Sequence, residues 1–238
     1  MKEQKIKEII EKNFLVKTDE SGFLILTRKG TGKDRRLPPQ DGTIFIMLEN
    51  IPEDERTEEN VPRLLKEGKI IKVKRWDLYK MFTDFTEEEL YKIFYGYDKR
   101  THKYLKAIEK QIGLLEHKSD YDEEEFEVLR QYSLFANLTG SGYVDVGKLK
   151  DGRYVAQFAY RVSIDDYTIE KIYFNHLPSK KDVRTAILIS DIRTYFKLHP
   201  GTYEFRCWEC GRKVHWLDIK AKDLEERFDR MQDRYCGC

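Results

Sequence analysis

All four cysteines of the chain fall in its last 32 positions, at Cys207, Cys210, Cys236 and Cys238. Cysteines spread evenly along a small chain mark a disulfide framework, whereas two close pairs mark a metal. The first pair lies in Cys-Trp-Glu-Cys-Gly. Two sulfurs separated by two residues grip one ion from a tight turn, and Gly211 permits the left-handed backbone that aims amide N–H groups at them. The second pair, Cys-Gly-Cys, ends the given sequence, and Gly237 lets the backbone turn until both sulfurs face inward. Together they supply the four thiolates of a closed tetrahedral site, and the expected occupant is one structural Zn²⁺ per chain.

The knuckle CWECG resembles the knuckles of zinc ribbons, a resemblance confined to about the last 37 residues. Ribbons repeat C-x2-C on a second hairpin, and this chain departs from them by closing with C-x-C. Leu224, Phe228, Met231 and Tyr235 form one apolar stripe at helical spacing between the two pairs. The expected unit is therefore strand, knuckle, strand, helix, closing pair. Iron on the same four thiolates is a competing reading. A redox CxxC is another, although that motif opens a helix and TYEFRC reads as a strand entering a turn. His215, five residues after Cys210, is an alternative ligand, but with four cysteines present it reads as a neighbour of the site. A closed four-thiolate site has no open position for water. Its work is folding a small module, which argues against a zinc hydrolase.

The rest of the chain reads as α+β. Residues 2–13 suit a short helix. Residues 14–17 and 22–29 suit two strands, 28–42 a loop rich in Gly, Pro and charge, and 43–48 a buried strand. Residues 49–62 read as an acidic loop, and 69–76 as a strand leading into a short helix. From 86 to 138 helical spacing predominates. A capping box at Thr86 and Glu89 opens one helix, and Leu105, Ile108, Ile112 and Leu115 stripe a second. Ser119 or Asp120 caps a third, striped by Phe126, Leu129, Tyr132 or Ser133, and Ala136; the last two helices then form an antiparallel hairpin. Turns follow at 140–142 and at Asp165-Asp166, the latter joining two β-rich runs, and a helix capped by Ser179 stops at His199-Pro200-Gly201. The expected divisions are a mixed N-terminal region (1–84), a helical region (85–140), a β-hairpin with helix (141–201) and the zinc module (202–238).

Charge narrows the function. Lys and Arg number 44 against 43 Asp and Glu, a net charge of +1. That balance disfavours a protein devoted to coating nucleic acid or anionic membrane. The zinc module itself carries eight basic and eight acidic side chains. Basic residues do cluster locally at Arg28, Lys29, Lys33, Arg35 and Arg36, and again at Lys69, Lys72, Lys74 and Arg75. A solvated loop and a charged edge strand explain these clusters, and a nucleic-acid or anion contact is the alternative. No apolar run reaches membrane-span length and the N-terminus lacks a secretory h-region, so a cytoplasmic protein is expected. No nucleotide-binding, hydrolase or metalloprotease motif occurs. The expectation is a non-catalytic interaction protein of adaptor or inhibitor type, of the kind carried by mobile elements, with a protein partner. The alternatives are a nucleic-acid-binding regulator using 28–36 and 69–75, and an enzyme whose active site is scattered in sequence.

Overall fold

A computed structural model describes residues 3–133, 143–161 and 167–238. They form two compact units, Met1–Asp98 and Lys99–Cys238. The class is α+β, with seven α-helices and twelve strands in four sheets among the described residues.

In the first unit, α1 (Glu3–Asn13) buries Ile6 and Ile10, one turn apart. β1 (Phe14–Thr18) and β2 (Leu24–Arg28) pair antiparallel with Val16 opposite Leu26. Their turn is held by Asp19, whose carboxylate accepts the N–H groups of Ser21 and Phe23. β3 (Asp34–Leu37) adds to β2, so the stretch expected as a loop contains a strand. Only Leu37 of its four residues is buried, which leaves no alternation for a sequence reading to find. β4 (Thr43–Met47) and β5 (Ile70–Lys74) form a second antiparallel pair. Between them, the segment read as an acidic loop makes two 3₁₀ turns and ends in α2 (Val61–Lys66), with Pro62 in its first turn. α3 (Arg75–Phe82) and α4 (Glu87–Tyr95) follow, the latter opened by the Thr86–Glu89 capping box and ended by Gly96 in the left-handed region. Leu24, Leu26, Ile44, Ile46, Leu78 and Phe94 share one core. Within it the Tyr79 hydroxyl donates to the Leu37 carbonyl at 2.8 Å and accepts the Leu24 N–H at 3.1 Å, tying α3 to both β2 and β3.

In the second unit, α5 (Lys99–Gln111) precedes a five-stranded antiparallel sheet of order β6-β10-β9-β8-β7. The strands are β6 (Leu114–Asp120), β7 (Glu127–Ser133), β8 (Tyr143–Lys148), β9 (Tyr154–Arg161) and β10 (Tyr167–Phe174). This corrects the third helix and the helical hairpin expected before residue 138. β6 and β7 are the two edges of the sheet, and their exposed residues include Leu115, Val128 and Leu129. An edge strand with little burial lacks a period-2 signal, and a few apolar residues then match helical spacing by chance. Pairing with β10, which sets His117 opposite Ile172 and Ser119 opposite Glu170, decides the conformation. Asp120 accepts from Lys171 at 2.9 Å instead of capping a helix. Ala136 and the turns at 140–142 and 165–166 lie outside the described residues. α6 (Lys180–Leu198) opens with a Ser179–Asp182 capping box and buries Val183, Ala186, Ile189, Ile192 and Phe196. The C-terminal segment has β11 (Glu204–Arg206), β12 (Lys213–His215), a 3₁₀ turn and α7 (Leu224–Gln232). No helix among the described residues is long and apolar enough to cross a membrane.

Tyr79→Phe is expected to leave a buried donor and a buried acceptor unpaired and to cost about 1–3 kcal/mol. Urea denaturation checks it as a lower midpoint at unchanged slope.

Candidate metal centre

β11 and β12 pair with Phe205 opposite Val214, and the hairpin tip carries the first two cysteines. Cys207 N–H donates to Arg212 O at 2.9 Å and Gly211 N–H to Cys207 O at 2.8 Å. Gly211 takes φ 69° there, the left-handed turn that a knuckle needs. The second pair arrives after α7, where Arg234 at φ 52° and Gly237 at φ 77° reverse the backbone. Two backbone bonds seat it: Trp208 N–H to Arg234 O and Lys220 N–H to Cys236 O, both 3.1 Å. The Arg230 guanidinium donates to Lys220 O and packs where a Gly237 side chain would stand, with Lys220 O 2.9 Å from the same point.

These backbone constraints bring the four Sγ atoms within 4.8 Å of one another. Cys210 Sγ and Cys236 Sγ are 3.6 Å apart. A tetrahedron with metal–sulfur bonds of about 2.3 Å has sulfur–sulfur edges of about 3.8 Å, and a disulfide needs about 2.05 Å. The donor set therefore fits a tetrahedral metal. Among the described residues it is the one His, Cys, Asp and Glu cluster of metal-binding spacing.

The electrostatics favour thiolates at the knuckle. Arg212 Nε lies 3.4 Å from Cys210 Sγ, and with the Arg212 amide it pulls that thiol down to about 6. The Cys210 amide lowers Cys207. Cys238 is pushed up by desolvation, the neighbouring sulfurs and Glu209. A cation at the centre of the quartet removes that opposition. Arg212 was missed by the sequence reading, where its place two residues after Cys210 was the available signal.

His215 is engaged elsewhere, its Nδ1 accepting the Leu217 N–H at 3.2 Å. The two tryptophans near the site differ sharply. Trp208 is 69% exposed, with its ring 6.1 Å from Tyr235. Trp216 is fully buried and donates its indole N–H to Thr101 of α5 at 2.8 Å. Its ring meets Phe196 of α6 at 5.5 Å and Tyr104 of α5 at 5.8 Å, both edge-on. Arg227 reaches Tyr104 and Arg100 reaches Asp218, so the metal module is docked on α5 and α6.

Several of the basic residues singled out in sequence have structural partners in the first unit. Arg28 donates to the carbonyls of Met47 and Leu48, Arg35 to Phe45 O, and Lys29 to Glu11 O. Arg36 pairs with Asp19 at 2.8 Å and stacks over Phe23. Lys69 pairs with Glu67. Lys72 lies over the Phe45 ring, and exposed Lys33 and Lys74 make no ion pair among the described residues. Burial and the like charge of Arg75 lower Arg35, and Arg75 Nε and Nη1 are buried without hydrogen-bond partners among the described residues.

Comparison with protein-family models, curated proteins and solved structures finds no match to this chain.

Gly237→Ala forces a side chain into a left-handed position, at about 1–2 kcal/mol, and against the Arg230 guanidinium. The expected result is metal binding weakened about tenfold or more in competition with a chelator. Parental affinity would show that the closing pair tolerates a side chain here.

Proposed function

We propose that the chain is a non-catalytic, cytoplasmic interaction protein of adaptor or inhibitor type, whose C-terminal module folds around one structural Zn²⁺. The observation that carries this reading is the closed quartet of Cys207, Cys210, Cys236 and Cys238, four sulfurs within 4.8 Å with no other ligand type in the cluster. Zinc suits four thiolates in tetrahedral geometry, has no redox chemistry of its own, and in a closed site keeps no position for water. Thiolate ligation also suits a reducing compartment. The partner is a protein, and exposed Trp208 beside Tyr235 is the surface to which we assign it, because solvent-facing Trp and Tyr anchor many interfaces. The acids and bases of the module are equal in number, which suits a protein partner better than phosphate backbone.

Native mass spectrometry with metal analysis of the same sample tests this. One zinc per chain is expected, and its removal by a chelator should expose the amides of residues 203–219 to hydrogen exchange. Cys207→Ser should have the same effect, while Trp208→Ala should keep the zinc and the fold but lose the partner. A chain that carries no zinc, or one that stays folded and active with all four cysteines replaced, would refute the reading.

A further inference from the structure

The β4–β5 pair in the first unit alternates strictly between core and solvent. Ile44, Ile46, Ile71 and Val73 are buried, and Thr43, Phe45, Lys72 and Lys74 are exposed. The register sets Phe45 opposite Lys72 and Thr43 opposite Lys74, so these four side chains share one face. The Phe45 ring is 37% exposed there, with Lys72 Nζ 5.8 Å from its centroid. Arg35 of β3 reaches the same strands, its Nη1 donating to Phe45 O at 2.8 Å. Arg75 follows β5 directly, and its N–H donates to Gly42 O at 3.0 Å, which sets it at the Thr43–Lys74 end of the ladder.

The charges at that end do not cancel. Arg36 is taken by Asp19 at 2.8 Å, and Lys69, at the opposite end of the ladder, by Glu67 and Glu49 at 3.0 and 3.7 Å. Three acids remain. Asp34 accepts from the Thr27 hydroxyl at 2.5 Å, Asp41 accepts the Gly42 N–H at 2.9 Å and bonds to Tyr95, and Asp77 lies in the first turn of α3. Set against Lys33, Arg35, Lys72, Lys74 and Arg75, they leave two positive charges over. None of these five cations makes an ion pair among the described residues. Arg75 has Nε and Nη1 buried without hydrogen-bond partners among the described residues, and its like charge bears on Arg35. A guanidinium in that condition is costly, and an anion held nearby offsets the cost.

We propose that the face formed by Phe45, Lys72 and Lys74, flanked by Arg35, binds single-stranded nucleic acid. The two lysines, about 6.6 Å apart along β5, contact phosphates, and Phe45 offers its ring to one base. Lys72 moves off the ring readily, because an exposed cation–π contact is weak. A duplex keeps its bases stacked inside and cannot use the ring, and an acidic protein surface supplies charge without flat faces to stack. Arg28 and Arg36 are engaged with carbonyls and with Asp19, so the contact lies on the strand face and not on the basic loop. This surface is separate from the one assigned to Trp208 and does not depend on that reading.

The test titrates the full-length chain into a fluorescently labelled oligodeoxythymidylate of about twelve nucleotides and reads anisotropy. Saturable binding is expected at about 50 mM salt, weakening about twentyfold at about 200 mM if three phosphates are neutralised. Lys72→Gln and Lys74→Gln, at exposed positions, should each weaken binding and lower the salt slope by about 0.7. Phe45→Ala should weaken binding about tenfold with the slope unchanged, and Phe45→Tyr should restore it. The thermal midpoint of each variant shows that the fold is intact. A duplex of the same length should bind at least about tenfold more weakly. Trp208→Ala should leave the affinity at the parental value. No saturable binding at the lower salt, a duplex bound equally well, folded Lys72 and Phe45 variants with parental affinity, or a loss on Trp208→Ala would overturn the proposal.

Discussion

The indole of Trp216 donates its N–H to Thr101 across 115 residues of sequence, and the arrangement of the C-terminal module depends on that buried contact. Thirty-seven residues bury too little surface to fold on hydrophobic contact alone. A large aromatic anchor at one end supplies part of what the core lacks, and at the other end four sulfurs stand close enough to be cross-linked by a metal. Trp216 sits one residue beyond β12, so the knuckle at the far end of the same hairpin is held in place by the seating of the ring between α5 and α6. Tyr195 of α6 against Phe228 of α7, 5.5 Å apart, extends the same seam to the helix that leads into the closing cysteines.

Charge is used in this protein mostly to satisfy backbone and to pair locally. In the first unit, Arg28 and Arg35 lie on β2 and β3 but donate to carbonyls of β4 and the residues just beyond it. These long side chains join two sheets that share no ladder. Two arginines of a cluster whose alternative reading in sequence was an anion or nucleic-acid contact thus serve as internal bracing. In the second unit the opposite occurs. Lys106, Arg193 and His117 are far apart in sequence and unremarkable in spacing, yet the chain path gathers them around one cleft.

The helices with caps were legible because their signals are local. Thr86–Glu89 and Ser179–Asp182 bond within one turn, so three residues of sequence contain the whole interaction. The four-cysteine cluster was legible for a similar reason, since ligand chemistry depends on residue type and short spacing more than on surroundings. β3, β6 and β7 were not legible. Each is an edge strand whose conformation comes from a partner strand, and exposure removed the alternation that would have revealed it. The His117–Glu170 pair was hidden for the same reason, because only the β6–β10 register brings residues 53 apart into contact.

By itself, then, the sequence determined the α+β class, the capped helices, the hairpin of β1 and β2, and four sulfurs able to meet around one ion. Those follow from interactions between residues close in sequence or from side-chain chemistry that survives any context. Tertiary structure alone decided which tryptophan is core and which faces solvent, which arginines are occupied, and which polar groups share a cleft. Burial and pairing between distant segments are properties of the folded chain, and they set the energy of those groups more strongly than any local preference does.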